Sequence, residues 1–370
     1  MRSEEEGMFV DLWGWYHGYH YAALKQGDLE RARFVPMFQE FWTHVEKDPP
    51  QALASVNACM QHARAMGEPC WWLFFAYWRI EVFLFYLKKL HAGLDAAVEM
   101  MTEARKPEYR NCPAQGRAHR VFIDAYYLID PTGYEDRIRE TIDYVEREVA
   151  LDDDSWFILL ERKAGLVYPY EQWEEYERLI WQYLAASERS TFRQIHGTST
   201  LGFIRYREGK FDEALQFFAA SEEHARANDR KSGIANALMW QALVSLRMGE
   251  SPAAARRHRT AQAQHGKIAM TASDFYVHAD AEYRELTGKA DEAYALLDAQ
   301  IATKETSGAI HDECFLKLMR LRLAGRMGLP MPERIAETRE AGRKLLKPDW
   351  FLTKLARIES GDYSEYPWMR

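Results

Sequence analysis

The chain has few cysteines and pairs none of them locally. Cys59, Cys70, Cys112 and Cys314 include no CxxC spacing, which excludes a zinc-finger arrangement and offers no disulfide framework. All four are expected to be reduced and mostly buried. Positive charge is also short: 48 Lys and Arg stand against 56 Asp and Glu, a net charge of -8. Such a surface repels a phosphate backbone, so nucleic acid is not an expected partner. The local signatures of phosphate cradling, acyl transfer and zinc hydrolysis (GxxxxGK[ST], GxSxG and HExxH) are all missing. No enzyme activity and no cofactor are expected. The first residues, MRSEEEGMF, lack the basic-then-apolar order of a secretory signal, which points to a cytoplasmic protein. No Ser/Gly-rich linker or low-complexity run divides the chain, and no alternating strand pattern is present.

What is present is apolar content and helix punctuation. Of the 370 residues 47% are hydrophobic and 14% aromatic, enough for a large core. The richest run, WWLFFAYWRIEVFLFYLKKL at 71–90, has the length to span a bilayer, but Arg79 and Glu81 at its centre would be costly there. A helix apolar nearly all round and covered by its neighbours is the expectation, with no membrane contact. Near the N-terminus, WGWYHGYHY sets His17 and His20 three apart, on one helical face. Two imidazoles do not complete a metal site, so an aromatic end cap is expected. Asp152, Asp153 and Asp154 suit an acidic helix start better than a calcium loop. The run RRHR at 256–259 suits a solvated face better than a phosphate grip.

A repeat organises the second half. Gly209, Gly249, Gly288 and Gly328 are spaced by 40, 39 and 40 residues. Seven residues before them stand Gly202, Ala242, Ala281 and Leu321; five after the first three stand Ala214, Ala254 and Ala293. Glycine marks a bend between antiparallel helices, and the small residues mark where the helices cross closely. Phe211, Leu215 and Phe218 form one apolar face of the second helix. Upstream, bends are expected at Gly27, near Ala92-Gly93, at Asp130-Pro131-Thr132-Gly133 and near Pro169.

Leu201, Gly202, Gly209, Phe211, Ala214 and Phe218 resemble the motif of the tetratricopeptide repeat, and the longer period resembles repeats of bacterial signal-responsive ATPase regulators. The resemblance implies an all-α fold, a right-handed α-α superhelix of roughly eight hairpins. Aromatic-rich hairpins are expected over 1–110, degenerate repeats over 111–194, tetratricopeptide-like repeats over 195–346 and a capping segment over 347–370. It further implies a non-catalytic scaffold that binds another protein or an acidic peptide in a concave groove lined by first helices. The alternatives are a regulatory sensor subunit that binds a signalling peptide or small ligand, and a metal-dependent enzyme using His17 and His20.

Five residues after the small crossing positions stand Arg207, Arg247, Leu286 and Arg326, a stripe suited to carboxylates. Phe203, Tyr206, Asn236, Met239, Phe275, His278 and Arg322 complete the expected groove, Asn236 through its amide. Equally open is that the arginines pair with Glu282 or Glu285 of the next repeat.

Overall fold

The computed structural model describes residues 10–187, 190–266 and 273–364; the acidic start at residues 1–9 lies outside them. The described chain is all-helical, with no β-strand, and helices adjacent in sequence pack on one another. It divides into two compact units, residues 1–162 with 307–309, and residues 163–306 with 310–370.

Unit 1 contains α1 (Leu12–Gln26), α2 (Leu29–Ala32), α3 (Phe34–His44), α4 (Pro49–Ala65), α5 (Pro69–Glu81), α6 (Leu90–Ala104), α7 (Gln115–Tyr127), α8 (Glu135–Glu148) and the start of α9 (Asp153–Val167). Unit 2 contains the rest of α9 and α10 (Trp173–Ala186), α11 (Thr191–Arg207), α12 (Phe211–Ala227), α13 (Lys231–Arg247), α14 (Ser251–His265), α15 (Asp274–Leu286), α16 (Ala290–Ser307), α17 (Ile310–Arg326), α18 (Pro332–Gly342) and α19 (Asp349–Glu359).

The starts of these helices follow from the sequence. Asp11, Asp28, Asp48 and Ser273 each accept a hydrogen bond from the backbone N–H three residues on, which satisfies a donor the helix leaves open. Pro49, Pro69 and Pro332 occupy first-turn positions where no N–H is needed. The ends are equally regular. Gly209, Gly249, Gly288 and Gly328 take φ of 76°, 81°, 78° and 70°, a conformation that costs a residue with a Cβ about 1–2 kcal/mol. After each, Lys210, Glu250, Lys289 and Leu329 donate to the carbonyl five residues back, at 2.9, 2.9, 2.8 and 3.0 Å. One cap thus repeats at the period read from the sequence.

Close crossings follow the turns. A Cβ on Gly202 of α11 would come within 2.8 Å of the Phe218 ring on α12, and Ala214, Ala254 and Ala293 are fully buried. The Phe218 ring stacks on Trp240 of α13 at 5.4 Å, and Trp240 Nε1 donates to the Phe275 carbonyl of α15 at 2.9 Å. The core of unit 2 therefore runs through successive hairpins. Ala214→Leu is expected to force α11 and α12 apart and cost about 1–3 kcal/mol; a thermal melt that matches the wild type would contradict this packing.

In unit 1 the aromatic run lies inside. Trp71 stacks on Phe34 at 4.8 Å and meets Trp15 at 4.9 Å and Phe75 at 5.5 Å. Trp71 through Trp78 are all buried, and no described helix is long and apolar enough to cross a membrane. Two expectations need correction here. The bend placed near Ala92-Gly93 lies earlier, at Lys88 with φ 54°, after a π-helical turn over Val82–Tyr86. Gly93 sits within α6 instead, where a Cβ would meet Leu84 at 2.4 Å. Nor are all four cysteines reduced: Cys70 and Cys112 form a disulfide, while Cys59 and Cys314 lie outside it and are buried. The absence of a short cysteine motif said nothing about two cysteines that the fold brings together from 42 residues apart.

Candidate functional site

The arginine stripe lies at the C-terminal ends of α11, α13 and α17. Arg247 Nη2 donates to Glu282 of α15, and its Nε donates to the Tyr206 hydroxyl at 3.1 Å. That hydroxyl donates in turn to Glu282, whose side chain has no exposure. Burial raises the Glu282 carboxyl above its ordinary range, and Arg247 opposes the rise. Glu285 serves two arginines, Arg322 at 2.8 Å and Arg326 at 2.9 Å. The Arg322 side chain is 2% exposed, that of Arg326 46%. Along α13, α15 and α17 three guanidinium groups thus meet two carboxylates. Arg207 lies with its Cζ 3.8 Å from the Trp173 ring centroid, a cation–π stack.

The other expected groove residues divide by burial. Phe203, Tyr206 and Met239 are buried in the core with Arg322, so in this structure they are packing rather than open surface. Phe203 and Phe275 both meet Trp240, at 5.5 and 4.8 Å, and these rings fill space that a register argument leaves open. Asn236 is half-buried and accepts a hydrogen bond from Ser273 Oγ at 2.9 Å. His278 meets the Phe315 ring at 5.3 Å, and burial lowers its pKa to about 4, which keeps it neutral.

The remaining candidates are tied into the fold. His20 Nδ1 lies 3.0 Å from the Ala32 carbonyl, and His17 sits edge-on to Tyr16 at 5.0 Å. Among the described residues no group of three or more His, Cys, Asp or Glu side chains is placed to hold a metal ion. Asp152 caps α9 through the Ser155 N–H, and Asp152 and Asp154 both pair with Arg117. In the RRHR run His258 bonds Asp280 at 2.9 Å and stacks on Tyr283 at 4.1 Å, while Arg257 reaches Ser245.

Two clusters escaped the sequence. In unit 1, α7 buries Arg117, Arg120 and Asp124. Arg120 donates to Glu81 and to the Tyr77 hydroxyl, and Arg162 Nε donates to Asp124 at 2.7 Å. With Arg117 on Asp152, three guanidinium groups meet three buried carboxylates, and Asp154 and Glu161 add further pairs at the edge. In unit 2, Tyr168, Pro169, Glu171, Trp173, His311, Phe315, Trp350 and Lys354 line a small open depression. No spacing rule could have joined residues 168–173 to 311–354.

Comparison with protein-family models finds no match, and comparison with curated proteins finds none.

Proposed function

We propose that this protein is a non-catalytic interaction module, a tetratricopeptide-like superhelix, that binds an acidic segment of a partner protein along the arginine stripe of unit 2. The observation that carries the reading is the exposure of Arg326 at the outer end of the stripe. Glu285 is shared by two arginines, and the outer one, Arg326, keeps nearly half its side chain exposed. A planar guanidinium has five donors, and one shared carboxylate oxygen leaves Arg326 capacity for a second carboxylate. The repeated helical hairpins provide the rigid spacing that such a stripe needs. The partner chemistry is a run of Asp and Glu; nucleic acid, of the same charge sign, is disfavoured by the net charge of -8.

Labelled acidic and basic dodecamer peptides distinguish this reading by fluorescence polarisation. The acidic peptides should bind, with affinity falling as salt screens the contact. Arg326→Ala should weaken them about tenfold, the scale of one charge-assisted hydrogen bond. The fold should survive, because Glu285 retains Arg322. Equal binding of acidic and basic peptides, or an unchanged affinity in Arg326→Ala, would remove the stripe as the contact.

A further inference from the structure

We infer that the exposed face of α1 docks against the same face of a second copy of this chain, as an antiparallel helix pair whose two-fold axis passes Gly18. The inference does not depend on the arginine stripe, since α1 belongs to unit 1.

Helix α1 buries Leu12, Tyr16 and Ala23 and turns its opposite side to solvent. That side bears Trp13, Tyr21 and Leu24, which are 41%, 69% and 46% exposed. Between Asp11 and Lys25 the sequence holds no carboxylate, lysine or arginine. A contiguous apolar face of this kind favours cover by another protein surface.

Charge selects a second copy as that surface. The face ends in opposite signs, with Asp11 before the first turn and Lys25 in the last, both exposed. Each lies seven residues from Gly18, and a heptad drifts by only about 20° around a helix, so both stand on the side that Gly18 marks. An antiparallel copy then sets Asp11 against Lys25 at both ends and opposes the two helix dipoles. A parallel copy would set like charges together.

The space at the axis agrees. A Cβ on Gly18 would meet nothing within 4 Å, so the packing of the chain itself gives no reason for a glycine that weakens a helix interior, whereas close approach of another backbone does. Gly14 and Ala22, exposed four residues to either side, would face each other across the axis and keep bulk low where the helices cross. The same symmetry sets Tyr21 beside the half-buried Trp15 of the second copy, an aromatic pair. The contact is isologous and one helix long, about 22 Å. Its small area makes the dimer sensitive to dilution.

Sedimentation velocity on the full chain over a range of concentrations tests the contact. The wild type should pass from monomer to dimer as concentration rises. Gly18→Arg places bulk and like charge at the axis and should stay monomeric throughout, while melting as the dilute wild type does, because the space around Gly18 is open. Lys25→Glu should weaken dimerisation several-fold. Gly18→Cys reads the register through a gain: mild oxidation should give a covalent dimer, since the two Cα atoms at position 18 come within disulfide reach. Ala22→Cys should not cross-link, because antiparallel pairing sets its two copies about 12 Å apart along the helix, and the native Cys59 and Cys314 are buried. A dimer that survives Gly18→Arg, or equal cross-linking of Ala22→Cys and Gly18→Cys, would overturn the proposal. A chain that stays monomeric at every concentration would also overturn it and leave the α1 face to a different partner.

Discussion

Arg247→Ala is expected to destabilise unit 2 by about 3–5 kcal/mol at pH 7, far more than an exposed arginine would. The reason is the partner left behind. Glu282 is fully buried, and one of its oxygens, Oε2, already has no hydrogen-bond partner among the described residues. Removing Arg247 leaves, among the described residues, the hydrogen bond from the Tyr206 hydroxyl and the more distant charge of Arg322. The pH dependence carries a definite sign. Burial raises the folded-state pKa of Glu282 above its unfolded value, and loss of Arg247 raises it further. Above the unfolded pKa the native state then holds more protons than the unfolded chain, so stability falls as pH rises through that window. The deficit of Arg247→Ala should accordingly shrink between pH 7 and pH 5. Glu282→Gln placed in the Arg247→Ala background should recover most of the loss, because a neutral amide costs less to bury. Chemical denaturation at both pH values measures it. A deficit under 1 kcal/mol, or one that grows on acidification, would mean that Glu282 reaches water. The same coupling makes charge reversal at Arg247 a poor probe of partner binding, which is why Arg326 is the position to vary.

The repeat was legible because its signals are local. A glycine at the left-handed turn position and an alanine at a crossing each act within a few residues, so Gly209, Gly249, Gly288 and Gly328 could be placed from spacing alone. Whether a position faces a groove or a filled interior depends on what arrives from other hairpins. Phe203 and Met239 hold the expected register, yet rings from α13 and α15 close over that space. The arginines illustrate the same limit. Sequence left partner binding and internal pairing equally open; the structure puts Arg247 on Glu282 and both Arg322 and Arg326 on Glu285. The depression was invisible for a stronger reason, since its walls come from segments about 140 residues apart. The bend misplaced at Gly93 had a misleading cue: glycine there serves a close approach to Leu84, while Lys88 takes the left-handed turn.

Reduction of the Cys70–Cys112 disulfide is expected to lower the stability of unit 1 by up to about 4 kcal/mol, the chain-entropy value for a loop of this length. The bridge ties the first turn of α5 to the segment before α7 and encloses 42 residues of separation. Other contacts hold the same junction. Gln115 Nε2 donates to the Ala104 and Tyr109 carbonyls at 3.0 and 2.8 Å, Trp72 meets Tyr109 at 5.6 Å, and Arg64 lies 5.0 Å from the Trp72 ring. The reduced protein should therefore stay folded and melt earlier, and Cys70→Ser should melt where the reduced wild type does. Thiol counting under denaturing conditions checks the bridge directly: two free thiols before reduction and four after. The native protein should react slowly even at Cys59 and Cys314, since both are buried and burial pushes the Cys59 thiol up to about 12. Glutathione and thioredoxin keep most cytosolic thiols reduced, so a cytoplasmic address and a standing disulfide pull in opposite directions. Four free thiols in protein purified without reductant, with a melt that reductant does not shift, would remove the bridge and leave the cytoplasmic expectation intact. Two free thiols in protein taken from its own cell would place this chain in an oxidising compartment or under an oxidant that reaches unit 1.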